Sequence, residues 1–169
     1  MRTRLSAVAV VTVVLAMALS WVTIGAFAQA ANSSDPIVGA WKLDPEKSVM
    51  NRAGGDPVHP TRSVTRIIAV EGDGYRMNAN AKADAAPTGG YFARFDGKEY
   101  PVADAPFDTI AMKRVNANTT TSEVRKKGGA YHQTTRHVVS KDGKTKTQTV
   151  KGTDADGKHV VAKLVYERQ

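Results

Sequence analysis

The chain has 169 residues, no cysteine, and 24 lysine and arginine against 16 aspartate and glutamate residues, a formal net charge of +8. The absence of cysteine excludes disulfides, thiolate metal sites and a cysteine nucleophile, so a folded domain must be stabilised by its core alone. The length is sufficient for one domain with a substantial hydrophobic core.

The first thirty residues have the order of a secretory signal peptide. Arg2 and Arg4 precede a largely apolar run over 5–27, and two small-x-small sites close that run at 26–28 and 28–30. A positive end, an apolar middle and a small-residue cleavage site are the three parts of such a signal. The sequence therefore predicts export to the periplasm or the extracellular space.

Cleavage at this signal divides the chain into two parts. Residues 1–30 are predicted to be a cleaved signal peptide, and 31–169 a single domain. Because about twenty apolar residues can span a bilayer, an uncleaved membrane anchor through residues 5–28 is the alternative.

The positive charge is concentrated in the last part of the chain. Residues 31–123 contain 11 basic and 12 acidic side chains, whereas 124–169 contain 11 basic and 4 acidic ones. Such asymmetry indicates either an anionic partner, such as an envelope lipid or glycan, or simply a solvated face. The predicted basic surface consists of Lys126, Lys127, Lys144, Lys146, Lys151 and Lys158.

Short runs rich in β-forming residues recur along the chain, and turn residues separate them. In chain order, the predicted strands are 38–43, 62–71, 75–82, 91–95, 99–102, 109–115, 119–126, 130–140, 145–151 and 158–167. Asp-Gly pairs at 73–74, 96–97, 142–143 and 156–157, with Gly-Gly at 128–129, are typical of tight hairpins. The pattern predicts about eight to ten antiparallel strands in a meander.

Three segments are predicted to lie outside this ladder. Proline at the second position of 44–48 favours a short helical turn. The segments 50–60 and 83–90 are rich in glycine, proline or alanine and are predicted to be loops at the mouth of the domain.

The fold class predicted from these patterns is all-β. No segment after the signal has a sustained helical period, and closing a long sheet removes its unpaired edges. A single up-and-down barrel is therefore favoured over a sandwich. Its strands are of mixed polarity: Arg66 lies among Val64, Ile68 and Val70 on one strand face. Either the sheet is partly covered, or the interior contains a polar, hydrated or ligand-filled space.

The triplet Gly39-Ala40-Trp41, at the start of the first predicted strand, resembles the opening signature of the lipocalins. The segments 38–48, 109–119, 138–152 and 160–168 resemble a group of small bacterial exported proteins with a lipocalin-like β-barrel. The resemblance implies that Trp41 closes the barrel floor. The late arginine that packs on this tryptophan in lipocalins is not clearly present, since Arg168 lies almost at the chain end.

Candidate ligand-binding residues come from strand parity. His132 and His137 differ by five positions and therefore face opposite sides of one strand, so they cannot jointly bind a metal. His132 shares a face with Arg136, and Tyr131 shares the other face with His137. Whichever face looks inward offers polar donors to a ligand. The predicted ligand-binding residues are Trp41, Tyr131, His132, Arg136, His137 and Tyr166.

No pattern in the sequence indicates catalysis, a metal site or a cofactor, because nucleophile-elbow and His-rich ligand motifs are lacking. An aromatic content of 7% and the predicted export argue against a nucleic-acid partner. The sequence favours an exported, non-enzymatic binding module that holds a small apolar or amphipathic ligand, and a monomer is expected. An envelope protein that contacts anionic glycans or lipids through 124–169 is the alternative, and an enzyme is a third reading.

Overall fold

The computed structural model describes residues 34–80 and 89–169, without the side chain of Asn80. The predicted signal peptide therefore lies outside the described residues. The part of the chain that the structure describes contains no helix with the length and hydropathy of a membrane span.

Ten strands form one antiparallel sheet within the described residues. They are β1 (Gly39–Arg52), β2 (Thr65–Glu71), β3 (Gly74–Asn80), β4 (Gly89–Ala93), β5 (Asp96–Pro101), β6 (Thr109–Asn116), β7 (Thr119–Arg125), β8 (His132–Val139), β9 (Thr145–Thr153) and β10 (His159–Arg168). The sheet order is β4-β3-β2-β1-β10-β9-β8-β7-β6-β5. Because β4 and β5 follow each other in the chain yet form the two sheet edges, the sheet curls into a nearly closed up-and-down barrel. The predicted all-β barrel is confirmed.

The short helical turn predicted at 44–48 is wrong, because β1 continues through it as a bulge. The register of β1 against β10 shifts after Asp44. A carboxylate oxygen of Asp44 accepts a hydrogen bond from the Lys47 backbone N–H (3.1 Å), and the Ser48 hydroxyl accepts one from the Val165 backbone N–H (2.9 Å). These side chains satisfy backbone groups that the bulge removes from the ladder, so the strand tolerates the extra residues.

The two predicted loops differ in how much the structure describes. The loop predicted at 50–60 begins three residues later than predicted, because β1 extends to Arg52. In the loop predicted at 83–90, residues 81–88 lie outside the described part, and Gly89 and Gly90 belong to β4.

Trp41 lies at one end of the barrel, which we call the floor. Its side chain is fully buried, and its Nε1–H donates to the Ile37 carbonyl (2.9 Å). The Arg168 guanidinium lies 4.2 Å from the centre of the Trp41 ring and donates to the carbonyl oxygens of Val38 (2.8 Å) and Pro36 (2.7 Å). The expectation that Arg168 lies too near the chain end to pack on Trp41 is therefore wrong. Pairing of β10 with β1 places Arg168 opposite Trp41.

The spacing of Gly39 and Trp41 has a steric reason at this floor. Gly39 has a φ of +139°, which side chains rarely adopt. A Cβ at this position would also collide with the Arg168 guanidinium. The glycine therefore leaves room for the arginine that covers Trp41.

The hydrophobic core has two parts rather than one. The floor cluster contains Ile37, Val38, Trp41, Leu43, Ile68, Val139 and Tyr166. The second cluster contains Ala93, Ile110 and Met112, from β4 and β6. The residues between these clusters position the candidate site.

Candidate ligand-binding site

Polar side chains line the barrel interior between the two apolar clusters. Lys146 and Gln148 on β9 are buried, as is His137 on β8, whereas Thr145 and Thr147 are more exposed. Side chains alternate along a strand, so the buried set faces inward. We call Arg66, Ser122, His137, Lys146 and Gln148 the polar band.

Lys146 is the most unusual member of the polar band. It is 0% exposed, and its Nζ atom has no hydrogen-bond partner in the described structure. The Nζ atom lies 4.9 Å from the centre of the Trp41 ring and 5.1 Å from that of Tyr166. Burial, together with the charges of Arg66 and Arg168, holds the pKa of the Lys146 amine well below its usual range.

The prediction that Lys146 belongs to the basic surface is therefore wrong, because its side chain is buried in the interior. Strand alternation on β9 places Lys146 on the same side as Gln148 and Val150, which are also buried. The charged side chain is inside because its strand parity is fixed by the whole β9 ladder, not by its own polarity.

Arg66 is the second cation of the polar band. One of its terminal nitrogens donates to the Gln148 side-chain carbonyl (3.1 Å), and its Nε atom is buried without a partner. The guanidinium carbon lies 5.2 Å from the centre of the Tyr166 ring. An unmade hydrogen bond of this kind typically costs about 1–3 kcal/mol. The polar band thus retains unused donors at its centre.

A small cavity of about 20 Å³ lies among these side chains. The walls combine Arg66, Lys146 and Gln148 with apolar side chains that include Met77 and Met112. No carboxylate of the described residues is among the lining groups. Since this volume holds about one water molecule, side chains largely fill the interior. Methionine side chains rearrange easily, so a larger occupant could displace them.

His137 contributes a neutral group to the polar band. Its Nε2 atom lies 3.0 Å from the Ser122 hydroxyl. Burial and the nearby charges of Lys146 and Arg66 lower the pKa of the imidazole to about 3. The ring is therefore uncharged at neutral pH and provides no negative charge for the two cations.

The carboxylate of Asp35 lies near the floor, but it is bound by Arg114 and Tyr75 rather than by the polar band. Asp35 pairs with Arg114 (2.5 Å) and accepts a hydrogen bond from the Tyr75 hydroxyl (2.7 Å). The Arg114 guanidinium also lies 4.3 Å from the centre of the Phe95 ring. This network fastens the segment before β1 to β3 and β6, and it compensates Arg114 rather than Arg66 or Lys146.

The structure separates the predicted ligand-binding residues into two groups. Trp41, His137 and Tyr166 are buried in the interior, and Tyr131 is half-buried at the end opposite the floor, against Phe107. His132 and Arg136 are exposed on the outer face, where the His132 Nε2 lies 2.7 Å from a Glu123 carboxylate oxygen. The structure therefore brings only part of the predicted set together.

The sequence analysis missed Arg66, Lys146 and Gln148 as site residues. Arg66 among apolar neighbours on one strand face was the available signal, because a charge on a core-facing position needs a reason. Lys146 shares a strand face with Gln148 and Val150, but the sequence does not show that this face points inward. No signal in the sequence alone therefore identified Lys146 as an interior residue.

The rest of the predicted basic surface lies at the surface. Lys127, Lys144, Lys151 and Lys158 are exposed, and Lys126 pairs with Asp108 (2.6 Å). On the outer face of β6 to β9, a shallow depression of about 550 Å³ has a lining that includes three cations, four threonines and one carboxylate, which are Lys113, Arg136, Lys151, Thr121, Thr134, Thr135, Thr149 and Glu123. The Glu123 carboxylate is already paired with Arg125 and His132. The cations of the depression form no salt bridge with a carboxylate of the described residues.

Among the described residues, no three His, Cys, Asp or Glu side chains converge in a way that could hold a metal ion.

No protein family matches the sequence, and neither does a curated protein. Solved structures do resemble the fold. A Schistosoma mansoni fatty acid binding protein in complex with arachidonic acid has a TM-score of 0.54 and 18% sequence identity, covering 79% of this chain and 96% of that one. A protein of unknown function from the DUF3598 family of Nostoc punctiforme has a TM-score of 0.56 and 10% identity, covering 81% of this chain and 49% of that one. The likeness establishes a shared lipocalin-like barrel fold.

Proposed function

We propose that this chain is a non-enzymatic binding protein that holds a small amphipathic ligand inside its barrel. The observation that carries the proposal is the polar band, where donors of Arg66 and Lys146 are buried without partners between two apolar clusters. Native proteins contain few such groups, and each calls for an explanation. A ligand with a polar end and an apolar body would satisfy the donors and contact both clusters.

The proposed route to the interior is at the sheet edges, where no ladder joins the edge strands β4 and β5. Only side-chain contacts, such as that between the Phe92 and Tyr100 rings, join these strands. Tyr91 on β4, Met77 and Met112 line the cavity beside the polar band. We propose that the ligand enters here and displaces the methionine side chains, because they are the most adaptable part of the lining.

The structural neighbours are consistent with this role. The Schistosoma mansoni protein is a binding protein with arachidonic acid in its complex. At 18% identity the likeness concerns the fold alone, so the ligand class for this chain rests on its own interior residues. We further propose that the chain is exported, on the basis of the signal-like order of residues 1–30.

Native mass spectrometry of the protein as its own host processes it tests the carrier proposal. We expect an added mass of a small amphipathic molecule that disappears when the protein is denatured. After extraction of that molecule, calorimetric titration with dodecanoate is expected to show one site per chain. A clean mass together with no heat of binding, from protein whose circular dichroism shows β-structure, would contradict the proposal.

The outer-face depression supports a second candidate function, contact with anionic envelope lipids or glycans. Arg136 lies in register with Thr121 and Thr149 across β7, β8 and β9, and Lys113 continues the row on β6. A row of unpaired cations on an open face suits a surface of phosphate or carboxylate groups.

Salt dependence tests this second function. Binding to vesicles containing phosphatidylglycerol is expected to weaken steeply between about 0.05 and 0.5 M salt, because exposed charges are screened. Replacing Arg136 and Lys151 together with glutamine should weaken the binding at low salt, whereas Lys42→Gln, which changes an exposed lysine on β1, should have little effect. Equal binding at both salt concentrations would argue against contact through these cations.

A further inference from the structure

Two basic side chains, those of Arg66 and Lys146, lie against the ring of Tyr166, and no carboxylate of the described residues lines the cavity beside them. The Lys146 Nζ atom and the Arg66 guanidinium carbon lie 5.1 and 5.2 Å from the centre of the Tyr166 ring. Lys146 is fully buried, and no carboxylate of the described residues lines the cavity beside them. Burying a polar or charged group without a partner is costly. Two basic side chains that bury donor atoms without acceptors in one place therefore require an explanation.

Other arginines near the interior do have partners. Arg114 pairs with Asp35, and Arg168 donates to three backbone carbonyls, those of Pro36, Val38 and Gly143. By contrast, Arg66 has only the neutral side-chain carbonyl of Gln148 as an acceptor, and Lys146 has none. Stacking on Trp41 and Tyr166 stabilises the cationic form of Lys146 but leaves all its N–H groups without acceptors.

We propose that Arg66 and Lys146 form the receptor for the carboxylate head group of the ligand. This inference rests on the proposed carrier function and names the ligand class and its pH control. A carboxylate offers two acceptor oxygens, one for the guanidinium and one for the ammonium. The cavity of about 20 Å³ holds about one water molecule, so the methionine side chains that line it must move aside for the carboxylate and its tail.

The proton balance follows from the environment of the amine. Without an anion, burial and the charges of Arg66 and Arg168 lower the pKa of Lys146. A carboxylate alongside reverses this effect, since an opposite charge at close range favours the ammonium. The proton comes from solvent and is bound at Nζ. Where Lys146 is neutral in the ligand-free protein, binding of an ionised carboxylate thus takes up a proton, and the affinity falls as the pH rises.

The other titratable groups around Lys146 do not change charge near neutral pH. His137, on β8, has a pKa of about 3. The pKa of Tyr166, on β10, is raised above its ordinary value of 10.0 by burial. Burial lowers the pKa of Arg168, on β10, but an arginine side chain is not deprotonated in proteins. Proton uptake between about pH 6 and 9 therefore reports Lys146.

The test compares three probes by calorimetry on protein freed of its native ligand. Dodecanoate carries both tail and charge, dodecanol only the tail, and acetate only the charge. We expect dodecanoate to bind roughly 10- to 100-fold more tightly than dodecanol, the range for hydrogen bonds to charged groups. Acetate should bind far more weakly than dodecanoate, because the apolar clusters add nothing to its affinity.

Variants assign the preference to residues. Arg66→Met and Lys146→Met should each bind dodecanoate and dodecanol with similar affinity. Lys144→Met, which removes an exposed charge two positions from Lys146, should retain the wild-type preference. Titrations in two buffers of different ionisation enthalpy should show proton uptake by wild-type protein and none by Lys146→Met. Proton uptake by the wild-type protein remains a test of the role of Lys146 even if one of the variants does not fold.

The outcomes separate this inference from the proposed function. Equal affinity for dodecanoate and dodecanol in wild-type protein would overturn the carboxylate receptor while supporting the carrier function. No binding of either probe would overturn both. Binding of acetate as tight as that of dodecanoate would overturn the head-group assignment, because the site would then be a receptor for a free anion. Wild-type binding without proton uptake would overturn the role of Lys146.

Discussion

Replacing Trp41 with alanine is expected to lower the free energy of unfolding by roughly 3–5 kcal/mol, the usual range for a fully buried tryptophan. The ring is 0% exposed and lies between two cations, with the Arg168 guanidinium 4.2 Å and the Lys146 Nζ 4.9 Å from its centre. The substitution also removes the donor to the Ile37 carbonyl. The floor would lose its largest side chain and both cation–ring contacts together.

Urea unfolding followed by circular dichroism measures this change without relying on tryptophan emission. Trp41→Phe is the matched control: it keeps an aromatic ring but loses the hydrogen bond to Ile37, so we expect a smaller loss, about 1–2 kcal/mol. A loss below about 1 kcal/mol for Trp41→Ala would mean that the ring does not hold the floor together.

Acidification is expected to destabilise the protein through His137 by up to roughly 5 kcal/mol between about pH 6.5 and 3. The folded-state pKa of His137 is about 3, below its ordinary value of 6.5. In this window the unfolded chain binds a proton that the folded chain excludes. The contribution to stability is therefore complete above about pH 6.5 and is lost progressively as the pH falls through that window.

The control is His137→Gln, which retains a hydrogen-bonding side chain next to Ser122 but does not titrate. Carboxylates and Lys146 affect both proteins alike, so the difference between the two pH profiles of unfolding free energy isolates His137. We expect the wild type to lose more stability than the variant as the pH falls. Superimposable profiles would contradict the burial of a neutral imidazole at this position.

The polar band was only partly predictable. Arg66 was noted as an exception on its strand face, but nothing local distinguishes an interior arginine from one on an uncovered sheet. Lys146 lies in a segment where lysines and threonines alternate, so its charge suggested the surface. The face of β9 that points inward is decided by the ladders with β8 and β10, and those contacts join residues distant in sequence.

The sequence by itself determined most of the strands and hairpins. Asp-Gly and Gly-Gly pairs specify tight turns locally, through the positive φ that Gly128, Gly143 and Gly157 adopt. The hairpin predicted at 96–97 is wrong, because Asp96 and Gly97 begin β5 at an irregular register with β6, and β4 and β5 do not pair. The Gly39–Trp41 spacing predicted the floor only through its resemblance to the lipocalins, because the steric need that it reflects involves Arg168 at the other end of the chain. The bulge at Asp44, the contact of Arg168 with Trp41 and the burial of Lys146 were decided only by the tertiary structure. Each depends on how β1, β9 and β10 meet, and such long-range pairing leaves no periodic signal in the segments that it joins.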